Sequence, residues 1–211
     1  MNYESLIFDI DGTLWDSRQL VAEGYNIQLE KEGLSHLAVT AEDLRPLFGK
    51  VMTEIADNIL ASIDPKERYQ LMERCMKTEN DYLFANECRI GYPKVKETLA
   101  ELAKKYRLFI VSNSQCGYPE LCIEKLGLGD YIEGHLCFGD TGTEKGETIL
   151  ELMRRHNITD AVYIGDTQGD YEATVVADIP FIWAAYGFGN PEGAAGRITD
   201  IRQLPETLKA L

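Results

Sequence analysis

The sequence predicts an α/β protein: a doubly wound, mostly parallel sheet of Rossmann-like form with an all-helical domain inserted after its first strand. Three observations carry this. From Tyr106 onward, short apolar runs alternate with helical patterns, the signature of a parallel sheet covered on both faces. An early run at residues 6–10 is apolar on both faces, as a central parallel strand is. Between them, residues 16–86 contain only helical spacing and no convincing strand.

The elements follow in order. LIFDI at residues 6–10 opens the sheet, with Asp9 and Asp11 at its end and Gly12 and Thr13 directly after. QLVAEGYNIQLEKEGL (19–34), KVMTEIADNILASI (50–63) and KERYQLMERCMKTENDYLF (66–84) are amphipathic at a period near 3.6. DPKE at 64–67 reads as a helix start, with Asp64 as N-cap and Pro65 in the first turn. GYPKVKETLAELAKKY (91–106) is a helix leading back to the sheet. RLFIVSN (107–113), GHLCFG (134–139), AVYIGD (161–166) and PFIWAAYG (180–187) read as strands. PELCIEKLGL (119–128), KGETILELMRRHN (145–157) and DYEATVVAD (170–178) read as the helices between them. The expected division is a core domain of residues 1–15 and 87–211 and a helical cap domain of residues 16–86.

Composition narrows the function. The chain has 211 residues, 45% apolar and 27% charged, ordinary for a soluble globular protein. No apolar run approaches the ~20 residues that span a bilayer, and MNYESLIF enters a strand without a basic leader. No membrane partner is expected. Five cysteines (Cys75, Cys88, Cys116, Cys122 and Cys137) make an odd set with no CxxC pair. That argues against a disulfide framework or a zinc ribbon and for a reducing, cytoplasmic setting. The formal net charge is −14, so no nucleic-acid partner is expected either. An anionic substrate would need a local cation. Nothing in the chain specifies an oligomer, and a monomer is the expectation.

Open parallel sheets place ligands outside the carboxyl ends of their strands. Those ends carry Asp9 and Asp11 after the first strand, Ser112 and Asn113 after the second, and Asp166 and Asp170 after the fourth; Lys145 opens a helix. Two unit charges at 4 Å repel by about 4 kcal/mol at an effective dielectric near 20. Four converging carboxylates therefore need a cation, and oxygen ligands of this kind suit Mg²⁺.

These residues carry a family resemblance. FDIDGTL (8–14), IVSNS (110–114), TEKGETI (143–149) and YIGDTQGD (163–170) resemble, in order, the four motifs of the haloacid dehalogenase-like hydrolase superfamily. The third departs from the pattern, because many members have proline after the lysine and this chain has Gly146. DGTLWDS is similar to phosphoglycolate-phosphatase-like and phosphoglucomutase-like members, and the insert resembles the family's helical cap. The resemblance implies a Mg²⁺-dependent phosphatase acting on a small phosphorylated metabolite through an aspartyl-phosphate. Asp9 would be the nucleophile and Asp11 the general acid and base. Asp9, the Asp11 backbone carbonyl and Asp166 would hold the metal, with Asp170 behind them. Ser112, with backbone N–H groups around Asn113, would bind phosphate oxygens beside the turn at Gly12 and Thr13, and Lys145 would neutralise Asp9 and the phosphoryl group. Arg45 and Lys50, flanking a glycine turn, are candidate contacts to the rest of the substrate.

Asp11 separates this reading from a dehalogenase, since a departing halide needs no proton. Two alternatives stand beside it. One is a phosphosugar mutase of the same family, which uses the same acid and base. The other is a non-catalytic phospho-accepting or binding domain, against which stand the chain's length and the full set of motif residues.

Overall fold

The computed structural model describes residues 3–87 and 89–211. Met1, Asn2 and Cys88, one of the five cysteines, fall outside the described residues. In chain order the elements are β1 (Ser5–Phe8), α1 (Arg18–Lys31), α2 (Ala41–Leu44), α3 (Met52–Ile59), α4 (Pro65–Ala85), α5 (Val95–Leu102), β2 (Arg107–Ser112), α6 (Tyr118–Leu126) and β3 (Ile132–Cys137). Then come α7 (Phe138–Thr141), α8 (Lys145–His156), β4 (Ala161–Gly165), α9 (Gln168–Ala177), β5 (Phe181–Ala184), β6 (Gly196–Ile198) and α10 (Leu204–Ala210). They form two compact units: residues up to Asp16 with Ile90–Leu211, and Ser17–Arg89.

The first unit is an α/β domain. Its six strands lie in the order β3-β2-β1-β4-β5-β6, and every pair is parallel. The chain winds outward from β1 to β3, then starts again at β4 on the other side. The order therefore reverses between β1 and β4, where doubly wound sheets bind ligands. Strand side chains alternate between faces. Ile7, Phe109, Val111, Tyr163 and Phe181 pack in one buried layer with Ile149 and Leu152 of α8 and Ala173 and Ala177 of α9. Leu6, Phe8, Leu108, Ile110, Val162 and Ile164 are also fully buried, as strands covered on both faces require.

Where the chain departs from expectation, the reason is local. The apolar run at 134–139 stops as a strand at Cys137, because Phe138 already opens the short α7. The third motif tolerates Gly146 for a packing reason: a Cβ there would meet the Val176 Cβ at 2.7 Å, so the glycine lets α8 approach α9.

The second unit is helical. Asp64 caps α4, accepting a hydrogen bond from the Lys66 N–H at 3.0 Å, with Pro65 in the first turn. Arg68 fixes the turn that joins α3 to α4. Its guanidinium donates to the carbonyls of Leu60 (3.1 Å), Ala61 (2.9 Å) and Ile63 (3.0 Å) and to Asp57 (2.6 Å). Helices α1 and α4 cross closely at Gly24, where a Cβ would sit 2.8 Å from the Glu79 Cα. Backbone cannot swing aside as a side chain can. Gly24→Ala should therefore destabilise the protein by about 1–3 kcal/mol through overpacking, despite alanine's better helix propensity. Urea denaturation measures this, and a stability at or above wild type would mean the helices part freely. No helix among the described residues is long and apolar enough to cross a membrane.

Candidate active site

The first site element is the turn after β1. Apolar packing buries β1 completely, and the chain then folds back tightly: the N–H groups of Thr13 (3.2 Å) and Leu14 (2.7 Å) both donate to the Ile10 carbonyl. Gly12 makes this possible, with φ +84°. A Cβ at Gly12 would collide with the Asp166 carboxylate. The same turn leaves Asp9 only 2% exposed at the strand end.

The second element comes from β4. Asp166 follows the strand and is fully buried; Thr167 and Asp170 then form a capping box at the start of α9. Asp170 thus caps the helix and also belongs to the charge cluster. Its Oδ2 accepts from the Thr167 N–H (2.9 Å), the Thr167 hydroxyl (2.7 Å) and the Asp166 N–H (3.2 Å). Its Oδ1 accepts from Lys145 (2.6 Å) and the Tyr163 hydroxyl (3.3 Å).

Lys145, the first residue of α8, joins the two elements. Its ammonium lies 2.8 Å from Asp9 Oδ1 and 2.6 Å from Asp170 Oδ1, with only 4% of its side chain exposed. Burial alone would lower its pKa, but the charges of Asp170 and Asp9 outweigh that and raise it, so it stays protonated. The two carboxylates do not share it equally. Burial would raise the Asp170 pKa, yet Lys145 and the Thr167 donors bring it below its ordinary value. Asp9, with fewer donors, is driven by burial up to about 7, against the pull of Lys145 and with repulsion from Asp170 and Asp11. Burial, then Asp170 and Asp9, push Asp166 well above its ordinary value.

Two buried carboxylate oxygens, Asp9 Oδ2 and Asp166 Oδ1, have no hydrogen-bond partner among the described residues. Oxygens of Asp9, Asp166 and Asp170 lie within 4.8 Å of one another. Bare, buried carboxylate oxygens at that spacing are costly to ionise alone and fit a hard divalent cation. Asp170 differs, because both of its oxygens already accept hydrogen bonds.

Asp11 has partners of its own. Its Oδ1 accepts from the Trp15 indole N–H at 2.8 Å and from the Tyr118 hydroxyl at 2.9 Å. Ser112 ends β2, 5% exposed, and its hydroxyl accepts from the Ser114 N–H at 3.2 Å, with Asn113 between them. Thus Asp9, Gly12, Asp166, Asp170 and Lys145 meet directly, and Asp11, Thr13, Ser112 and Asn113 flank them at the same strand ends. Arg45 and Lys50 belong to the helical unit, where Arg45 lies 3.9 Å from Glu42 and Lys50 lies 3.3 Å from Glu54, all largely exposed.

Several contributors escaped the sequence reading. The Phe188 backbone N–H donates to Asp166 Oδ2 at 2.6 Å, and Tyr186 donates to the Thr13 carbonyl at 2.8 Å. A Cβ at Gly187 would strike Asp166. The paired glycines of YGFG, just after a strand, were the available signal. A second set of possible metal ligands, Cys116, Cys137 and Asp140, has a structural explanation. Asp140 accepts from the Cys137 N–H at 2.9 Å and so caps α7, and burial raises both thiol pKa values.

Known proteins resemble this chain in sequence and in fold. The family model described as haloacid dehalogenase-like hydrolase matches residues 6–184. The plasmid phosphoglycolate phosphatase of Cupriavidus necator is 26% identical over 98% of this chain and 90% of its own length. A phosphoglycolate phosphatase of Pseudomonas savastanoi pv. phaseolicola is 25% identical over 94% of this chain and 77% of its own. A predicted phosphatase from Clostridium acetobutylicum shares the fold across 100% of both chains, with TM-score 0.81 and 21% identity. A predicted phosphoglycolate phosphatase from Haemophilus somnus does so across 98% of both, with TM-score 0.82 and 19% identity. With the matched span running from within β1 to the end of β5 and covering all four site segments, the chain belongs to the haloacid dehalogenase-like hydrolases.

Proposed function

We propose that this hydrolase is a Mg²⁺-dependent phosphatase that cleaves a small phosphate monoester through an aspartyl-phosphate on Asp9. The observation that supports it most is the shared ammonium of Lys145, between a saturated Asp170 and an Asp9 whose second oxygen is bare and buried. That arrangement would keep a nucleophile dry and fixed at the sheet's switch point, with Lys145 beside it to favour its ionised form. Relatives along nearly the whole chain bear the name phosphoglycolate phosphatase, so phosphoglycolate is the first substrate to test.

Asp9, the Asp11 backbone carbonyl and Asp166 would hold Mg²⁺, with Asp170 supporting them. When bound, the ion supplies the charge that lets these carboxylates stay ionised together beside a phosphate. A carboxylate oxygen of Asp9 bonds to phosphorus as the bond to the leaving oxygen breaks, and Asp11 gives that oxygen its proton. Asp11 then takes a proton from water, whose oxygen attacks phosphorus and releases phosphate from Asp9. Lys145 orients Asp9 and balances the charge of the phosphoryl group, while Ser112 and the N–H groups after it bind the remaining oxygens. Such positioning and charge stabilisation is most of what phosphoryl transfer requires. Arg45 and Lys50 are the proposed contacts beyond the phosphate.

A panel of phosphorylated metabolites led by phosphoglycolate, with para-nitrophenyl phosphate as a generic substrate, tests the reading. Hydrolysis is expected with Mg²⁺, lost in excess chelator and restored when Mg²⁺ returns. Ca²⁺ should inhibit, because its larger and looser coordination misplaces the nucleophile. Full activity in excess chelator would remove the metal from the scheme.

A further inference from the structure

In the role proposed above, Asp11 both gives and takes a proton, and a fixed carboxyl orientation serves both steps. Two donors on its Oδ1, Trp15 and Tyr118, come from separate parts of the core. Trp15 belongs to the first turn, where its carbonyl accepts from the Gly12 N–H at 2.9 Å. It is fully buried, and the neighbouring Leu14 carbonyl accepts from the Tyr92 N–H at 3.0 Å. Tyr118 opens α6, preceded by Gly117 at φ +84°, and is 2% exposed. The two rings meet edge to face, with centroids 5.4 Å apart and planes at 78°. Packing of this kind fixes both rings, and hence both donors.

We propose that Trp15 and Tyr118 are positioning residues that hold the proton-transferring carboxyl of Asp11 in its working orientation. This rests on the acid–base role proposed for Asp11. An indole N–H can only donate, and a phenol donates to a carboxylate. With both directed at Oδ1, the proton that Asp11 carries sits on Oδ2. The clamp therefore does two things. It fixes the plane of the carboxyl, and it selects which oxygen faces the leaving group and later the water. Trp15 comes from the segment that carries the nucleophile, and Tyr118 from the segment after Ser112. The acid is thus held relative to both the attacking group and the phosphate-binding loop.

The test compares kcat/KM for phenyl phosphate and para-nitrophenyl phosphate with the full-length protein and Mg²⁺. Phenolate is the poorer leaving group and depends more on a well-placed proton. Tyr118→Phe removes one hydroxyl at nearly constant shape, and Trp15→Phe removes the other donor with some loss of volume. Each should lower phenyl phosphate turnover about tenfold more than that of para-nitrophenyl phosphate, a fraction of the ~10²–10⁴ range of general acid catalysis. Asp11→Asn is the reference and should show a larger difference in the same sense. A purely structural effect would depress both substrates equally. If Asp11→Asn discriminates and neither aromatic variant does, the clamp is overturned while the acid role stands. If Asp11→Asn fails to discriminate, the acid role falls first. Melting temperature in parallel identifies a variant that has lost its fold, and Tyr118→Phe, which adds no atoms, decides the matter if Trp15→Phe is that variant.

Discussion

Asp9→Asn should abolish turnover, while Asp11→Asn should stall with phosphate attached to Asp9. The amide that Asp9→Asn introduces is a poor nucleophile and cannot pair with Lys145 as a carboxylate does, so no covalent phosphoenzyme can form. In Asp11→Asn the proposed nucleophile Asp9, Lys145 and Asp166 remain. Para-nitrophenolate leaves as a stable anion, so the first step with para-nitrophenyl phosphate survives in part. The second step still needs a base to activate water, and none remains at that position. Steady-state turnover should fall by about 10²–10⁴-fold, with a burst of one nitrophenolate per enzyme. Rapid quench followed by intact mass measurement reads both results. A phosphate adduct on Asp9→Asn, or fast turnover without a burst in Asp11→Asn, would overturn the division of labour.

Much of this site was legible in the sequence because its logic is one-dimensional. Parallel strands buried on both faces read as unbroken apolar runs, and Asp9, Ser112 and Asp166 stand at the ends of three of them. A lysine at a helix start and a Thr-x-x-Asp capping pattern are likewise readable from neighbours a few residues away. What was not legible arrives through space. Phe188 reaches Asp166 with a backbone N–H from 22 positions away, and a backbone donor leaves no trace in residue type. Tyr118 lies 107 positions from Asp11, and in sequence it is one more aromatic at the start of an amphipathic helix. Trp15 is fully buried, and only its ring nitrogen, on Asp11, points to the second role proposed for it. Strand β6 was missed because Gly196–Ile198 is three residues long and only Ile198 is buried.

Lys145→Met should destabilise the chelated protein by about 3–5 kcal/mol, the usual cost of removing one partner from a buried ion pair. The reason is particular to this site: the ammonium serves Asp9 and Asp170 together, and both side chains are at most 3% exposed. Two consequences separate this from ordinary loss of packing. The first is a rescue. Mg²⁺ should restore part of the stability, because the bare oxygens of Asp9 and Asp166 accept a cation, and adding Asp170→Asn should do likewise by removing an unpaired charge. The second is a pH dependence of defined sign. Burial already lifts Asp9 from 3.8 to about 7 with Lys145 present. A carboxyl whose folded pKa exceeds its unfolded value binds more protons when folded, so its ionisation lowers stability as pH rises through that window. Without Lys145 the chief influence holding Asp9 down is gone, and Asp170 loses the charge that keeps it low. Both windows move upward, so the variant should regain stability on going from pH 8 to pH 6 more steeply than wild type does. Urea denaturation in chelator at several pH values measures this. A deficit that ignores pH, Mg²⁺ and Asp170→Asn alike would mean that the lysine stem, and not its charge, was what the core had lost.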